Sequence, residues 1–475
     1  MVQTYGVAAE DAREVHHAEA DTEASALLGA DASNGRPKQK FTGGHASLVS
    51  CIGNLSNTII GSGMLTFPMA MASSGIIPGI FTCVFSGSVA AFGLYLLSLA
   101  ATHTPHRTSS FFAVAQLTFP KAAVFFDAAI AIKCFGVSIS YLIIIKGLMP
   151  SVVEALYHDL SSNEPPSWAL SGRVWITLFM AILVPLGFLR RLDSLRHASY
   201  VGIFAVVYLL AIVVYVFIKP FDDMPPRGEV HLVHFTPDFL STFPVQVFAF
   251  TCAQNLFPLF NEVTENTQNR MNTIIGTSIG SATGVYLVIA ILGYLTFGST
   301  VGPNIIAMYP STSLFVAVGQ LAIVVLVLVS YPLQVHPCRN CLDKVFHAGQ
   351  SHKTPHELAN DEELEDEDHA PADMSALKHT LLTAGIIASG FTIAYHVDDL
   401  RMVLSFVGST GSTTISFILP GLFYWQLTRH DASASKALNR AALALACYGA
   451  FIFVFCLSYN IYGVVRPSSS SPSGH

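Results

Sequence analysis

Two stretches of this sequence combine glycine, proline and polar side chains inside otherwise apolar surroundings, and ligand chemistry is expected there. The first, GNLSNTIIGSGMLTFP (53–68), sets Gly61 and Gly63 around Ser62, with Pro68 one turn later. The second, FPVQVFAFTCAQNLFPLFNEV (243–263), carries Pro244, a polar centre at Thr251, Cys252, Gln254 and Asn255, and then Pro258. A helix interrupted at such points leaves backbone amides and carbonyls without intrahelical partners, at the charged ends of the helix dipoles. In lipid such groups persist only where they are buried in protein or line a cavity, so each interruption marks a packed or ligand-binding point.

Ionisable residues within apolar segments are the next candidates, because they are costly to insert into a bilayer. Lys133 lies about twelve residues into a span of some twenty-six, near mid-depth, where a lysine either gains and loses a proton or bonds permanently to freed carbonyls. Asp127 in the same segment and Glu262 at the end of the second interrupted stretch read as proton-coupling, gating or interfacial groups. His396, Asp398 and Asp399 fall in a connection on the far side, where they would collect protons. Cys338 and Cys341 form a lone C-x-x-C with no second ligand pair, which reads as membrane-edge packing or acylation; no metal site is expected. No nucleophile motif or phosphate-binding glycine loop points to an enzyme.

The elements that hold these residues are membrane helices. Hydrophobic residues make up 52% of the 475, charged residues 12%, and the mean hydropathy is +0.52, against about 25% charge in a soluble domain. Apolar windows give eleven spans: 46–70, 79–101, 122–147, 172–189, 198–218, 238–261, 272–297, 312–335, 377–396, 401–426 and 440–463. The first 45 residues lack a signal-peptide core and read as a disordered tail, followed by a transmembrane domain at 46–463 and a short tail at 464–475. Within the domain, 338–376, with its acidic run DEELEDED (361–368), reads as a flexible loop. Much of the net charge of −7 sits in that run and the N-tail, and nothing suggests a nucleic-acid partner. Lys and Arg concentrate in the connections on the N-terminal side, including Arg107, Lys121, Arg190, Arg191, Arg270 and Arg339, which makes the N-terminus cytosolic and the C-terminus lumenal or external.

The interrupted spans are the first and the sixth. Either alone is equally explained by close helix packing and proline kinks. Both together, five spans apart, form the signature of an inverted-repeat carrier whose site lies at the midplane.

Five segments then carry a resemblance: GNLSNTIIGSGMLTFPMAMASSG (53–75), KCFGVSISYLII (133–144), FAFTCAQNLFPLFNEV (248–263), YPLQVHPCRNCLDKV (331–345) and VGSTGSTTISFILPGLFY (407–424). Together they resemble the amino acid/auxin permease family, within it the fungal vacuolar amino acid transporters and the sodium-coupled neutral amino acid transporters of animals. The resemblance covers about 46–463 and implies an all-α integral membrane protein: a LeuT-like five-plus-five inverted repeat with broken helices 1 and 6, plus one extra helix. It implies secondary transport of amino acids.

Under that resemblance, amides at Gly61, Ser62 and Gly63 would take a substrate carboxylate, and carbonyls around Phe250, Thr251 and Ala253 its ammonium. Asn57, Thr58, Gln254 and Asn255 either complete the cavity or bind one helix to another. Ala253 stands where the family often has His, so any role of that imidazole is absent. Sodium sites in this fold use a hydroxyl from the middle of the eighth helix, and LAIVVLVLVS (321–330) offers none before Ser330. Protons are therefore the expected coupling ion, with no cofactor. The stretch EASALL supplies Glu23, Leu27 and Leu28 in the spacing of an acidic dileucine signal for sorting adaptors. With the resemblance, it favours the vacuolar membrane and proton-coupled export to the cytosol. A plasma-membrane importer and an amino acid receptor without flux are the alternatives.

Overall fold

The computed structural model describes residues 44, 46–105, 107–160, 164–190, 198–347, 374–431 and 434–465. Expectations for the tails, the dileucine stretch and most of the acidic loop fall outside these residues.

The described chain is helical apart from turns and one isolated bridge between Ala46 and Val263. The first span is α1 (Leu48–Ile59) followed, after a 44° bend, by a 3-10 turn (Ser62–Thr66) and α2 (Phe67–Ala72). The second is α3 (Ile76–Ala101), and a short helix α4 (Phe111–Thr118) in the following connection was not foreseen. Then come α5 (Ala123–Leu160), α6 (Gly172–Gly187) and α7 (Ala198–Ile218). The sixth span is split into α8 (Phe239–Ala249) and α9 (Leu256–Glu262) around a 3-10 turn at Ala253–Asn255. After it follow α10 (Gln268–Phe297), α11 (Leu314–His347) and α12 (Ala376–His396). The tenth span comprises α13 (Leu400–Val407), π-helical turns at Gly408–Ser412 and Thr414–Ile418, and α14 (Leu419–Thr428). Last is α15 (Lys436–Val465).

Among the described residues, nine helices are long and apolar enough to cross a membrane, ten with the bent first pair; the 16-residue α6 supplies the remaining apolar segment. The protein is a multi-pass membrane protein. Two boundaries differ from expectation. The third span runs on to Leu160, because Leu148, Met149, Val152, Val153 and Ala155 keep one face of the extension buried. The eighth continues to His347, so Cys338 and Cys341 lie on a helix, buried, and not in the loop. The apolar window ends at the polar stretch after 335, but Arg339 in that stretch is buried in the bundle, donating to the Gly187 and Leu189 carbonyls and the Thr383 hydroxyl.

The most apolar window of the third span is 83% buried, against 33% in the eleventh, so α5 is the central strut and α15 a peripheral addition. In lipid, close approach comes from small residues rather than the hydrophobic effect. Gly136 of α5 lies against Val407, and Gly411 against Lys133 and Ala129, which wedges the tenth span onto α5. Gly408 in turn abuts the Pro244 carbonyl of α8. The π-turns, each wide enough for one extra residue, hold the buried Ser409, Ser412 and Thr413 in this packed region.

Candidate functional site

The first break is built by its glycines. The Ile60 amide still bonds to the Ser56 carbonyl at 2.8 Å, but the Gly61 amide turns back to the Ile59 carbonyl at 2.8 Å, ending the helical ladder. Gly61 is therefore not a free donor. The amides of Ser62 and Gly63 open the next 3-10 turn and have no acceptor among the described residues. Gly63 is also where the two broken spans approach: a Cβ there would lie 2.7 Å from the Ala249 Cβ and 2.9 Å from its Cα.

The second break follows directly opposite. Thr251 donates its amide to the Phe248 carbonyl at 2.9 Å and its hydroxyl to the Val247 carbonyl at 2.8 Å. The Asn255 amide bonds to the Cys252 carbonyl at 3.0 Å, so the carbonyls of Phe250 and Thr251 are left without a donor among the described residues. Across the gap, the Asn255 side-chain amide donates to the Thr58 hydroxyl at 2.7 Å, tying the two breaks together.

A cavity of about 600 Å3 lies between these segments and the third and eighth spans. Of the residues singled out from sequence, Asn57, Thr58, Gly61, Ser62, Gly63, Lys133, Thr251, Gln254 and Asn255 line it. Phe250 and Ala253 do not; they are buried outside the lining, and the Ala253 carbonyl already accepts from the Leu256 amide, so it is not a free acceptor. The wall continues along Asn54, Pro258, Ser330, Gln334, His336 and Pro337 toward the side of the N-terminus. Among the described residues, no Asp or Glu lines the cavity. Lys133 is 3% exposed and, among the described residues, forms no hydrogen bond or ion pair; Gln254 Oε1 is buried without a donor. A cavity with free amides at one break, free carbonyls at the other and one lysine in its wall suits a small zwitterion.

Asp127 sits outside the cavity, buried near Cys341 and Lys344 between the third and eighth spans. Glu262 is exposed at the end of α9, where its carbonyl accepts from the Ala46 amide at 3.0 Å. The same end is held by Arg107, which donates to the carbonyls of Asn261, Val263 and Thr264. On the opposite side Asp398 pairs with Lys146 at 2.6 Å, and Asp399 caps α13 through the Met402 amide at 3.2 Å. Lys146, missed from sequence because it looked like a span end, is 8% exposed and also donates to the carbonyls of Ala394, Tyr395 and Val397. Gln334 and His336 were missed as lining groups, although Gln334 follows Ser330 by four residues and so shares its helical face. Ser330 does reach the cavity, which removes the main sequence argument against sodium.

The family described as "Transmembrane amino acid transporter protein" matches residues 44–466. Vacuolar amino acid transporter 5 of Schizosaccharomyces pombe is 44% identical over 88% of this chain and 95% of its own length. Vacuolar amino acid transporter 6 of Saccharomyces cerevisiae is 33% identical over 87% and 98%. Among solved structures, MhsT in complex with L-phenylalanine superposes with a TM-score of 0.53 at 11% identity, over 88% of this chain and all of that one, a likeness of fold.

Proposed function

Since the chain belongs to the transmembrane amino acid transporter family, we propose that it is a proton-coupled symporter that moves amino acids out of an acidic vacuolar lumen into the cytosol. The observation that carries the reading is the pair of breaks facing each other across one cavity. The carboxylate is taken by the amides of Ser62 and Gly63, and the ammonium by the carbonyls of Phe250 and Thr251, each charge at the matching end of a half-helix dipole. Gln254 and Asn57 complete the wall around the side chain. Lys133 is the proton carrier: among the described residues it is the one lysine in the wall, and no carboxylate there fixes its charge. Asp127 and Glu262 are interfacial groups at the cytosolic ends of their spans.

The vacuolar compartment is supported by the names of the relatives, and the cytosolic N-terminus by the Lys and Arg distribution. On that topology the cavity wall extends toward the cytosol, the side to which export delivers. The reading contains no enzymatic step, and Glu23, Leu27 and Leu28 supply its sorting signal. One observation favours a second reading, sodium coupling: Ser330 lines the same cavity as the first break. Uptake of labelled amino acids into proteoliposomes under an imposed pH gradient, with sodium present or absent, separates the two. Accumulation that follows the pH gradient and ignores sodium supports the proposal; sodium dependence replaces it with the second reading, and binding without flux leaves a receptor.

A further inference from the structure

One side chain touches both helix breaks. Tyr286, in the middle of α10, is fully buried, and its hydroxyl oxygen lies 2.6 Å from the carbonyl of Ile59 and 3.0 Å from that of Ala249. Ile59 ends α1 and Ala249 ends α8, so these are the last carbonyls before each chain unwinds. Tyr286 does not line the cavity. It reaches the breaks from behind.

A phenol carries one proton, so it donates to one of these carbonyls at a time. The shorter distance assigns the proton to Ile59, and the Ala249 carbonyl then faces the phenol oxygen lone pair to lone pair. Turning the hydroxyl about its C–O bond exchanges the partners without moving the ring. The ring itself is held by both broken spans: it stacks on Phe67 at 4.4 Å and meets the edge of Phe250 at 5.1 Å. Phe67 and Phe250 touch each other edge to face at 6.2 Å. Behind Phe250, Gly87 of α3 leaves only enough room for that ring, since a Cβ there would lie 3.2 Å from it.

Resting on the reading that substrate sits between the breaks, we infer that Tyr286 is a positioning residue for the substrate's two main-chain charges. It sets the separation of α1 from α8, and so the span between the Ser62 and Gly63 amides and the Phe250 and Thr251 carbonyls. The α-carboxylate and α-ammonium are common to all amino acids. Loss of the hydroxyl therefore weakens every substrate by the same factor and leaves selectivity among side chains unchanged.

The test compares the wild type, Tyr286→Phe and a variant with 4-aminophenylalanine at 286, each in proteoliposomes. KM and maximal rate are measured for several amino acids, and the melting temperature for each protein. Tyr286→Phe keeps the ring contacts and is expected to raise KM about tenfold for all substrates, with their ratios and the melting temperature nearly unchanged. The amino group offers two N–H donors and so satisfies both carbonyls at once; it is expected to return KM to the wild-type value or below. An unchanged KM in Tyr286→Phe, a KM change that depends on the substrate's side chain, or no rescue by the amino group overturns the inference. Should Tyr286→Phe fail to fold, the 4-aminophenylalanine protein decides alone, a raised KM counting against it. A wild type that moves no amino acid fails the functional reading instead, which separates the two.

Discussion

Within the Gly-Ser-Gly turn, the two glycines are expected to respond oppositely to the same substitution. A methyl group on Gly63 would sit 2.7 Å from the Ala249 Cβ, whereas carbon atoms in packed contact are about 3.5–4.0 Å apart. The two breaks must therefore separate by about 1 Å. Overpacking of that kind costs about 1–3 kcal/mol, and the strain is relieved when the breaks part and returns when substrate draws them together. Converted at 1.4 kcal/mol per tenfold, Gly63→Ala is expected to weaken substrate about 5- to 150-fold. A Cβ on Gly61 has open space, its nearest contact being the Ile59 carbonyl at 4.0 Å, and its backbone at φ −126° accepts an alanine. Gly61→Ala should leave affinity within about twofold, and Gly53→Ala, with nothing within 4 Å, is the control in the same span. The assay is half-saturating concentration in proteoliposome counterflow, which needs no ion gradient. Equal losses in Gly61→Ala and Gly63→Ala, or an unaffected Gly63→Ala, would refute the claim that the approach of the breaks sets affinity.

Lys133→Gln should abolish accumulation driven by a pH gradient while preserving counterflow; accumulation that still tracks the gradient would remove Lys133 from the coupling step. Lys146→Met forfeits three bonds from a charged donor to carbonyls at the end of α12, worth about 1.5–3 kcal/mol each before compensation, so unfolding of the purified protein should shift by about 3 kcal/mol or more. Asp398→Asn, at a site 73% exposed, should change it by less than about 1 kcal/mol, and similar losses from both would contradict the capping role. Arg107→Ala should free the end of α9 and speed maleimide modification of Cys51, buried near the start of α1, in a protein keeping that cysteine alone; an unchanged rate would show that the Arg107 contacts do not restrain these segments.

The broken spans were legible because Gly-Ser-Gly and Thr-Cys-Ala-Gln-Asn contradict the composition around them, and backbone chemistry does the rest. Lys133 was legible for the same reason, a charge in the middle of an apolar run. What sequence could not supply was direction. Thr58 and Asn255 read equally well as ligands or as helix contacts, and the 2.7 Å bond between them shows that they join the breaks. Phe250 and Ala253 were grouped with the ligands by proximity in sequence, but the turn buries both outside the cavity lining, and the Ala253 carbonyl is taken by the Leu256 amide. The partners of Lys146 come from residues 394–398, some 250 positions away, and Tyr286 looks from its neighbours like any membrane aromatic. Such roles depend on which helices are adjacent, and no local pattern records that. The π-turns of the tenth span had a trace in the run GSTGSTT, whose small residues tolerate the wider turn, but the run alone does not distinguish a π-turn from close packing.

The central claim is that the substrate lies between the two breaks, and a cryo-electron microscopy structure of the purified protein with a bound amino acid tests it most directly. The account predicts the carboxylate about 3 Å from the amides of Ser62 and Gly63 and the ammonium about 3 Å from the carbonyls of Phe250 and Thr251. A substrate bound elsewhere, or with its carboxylate on Lys133 and no contact to either break, would contradict it.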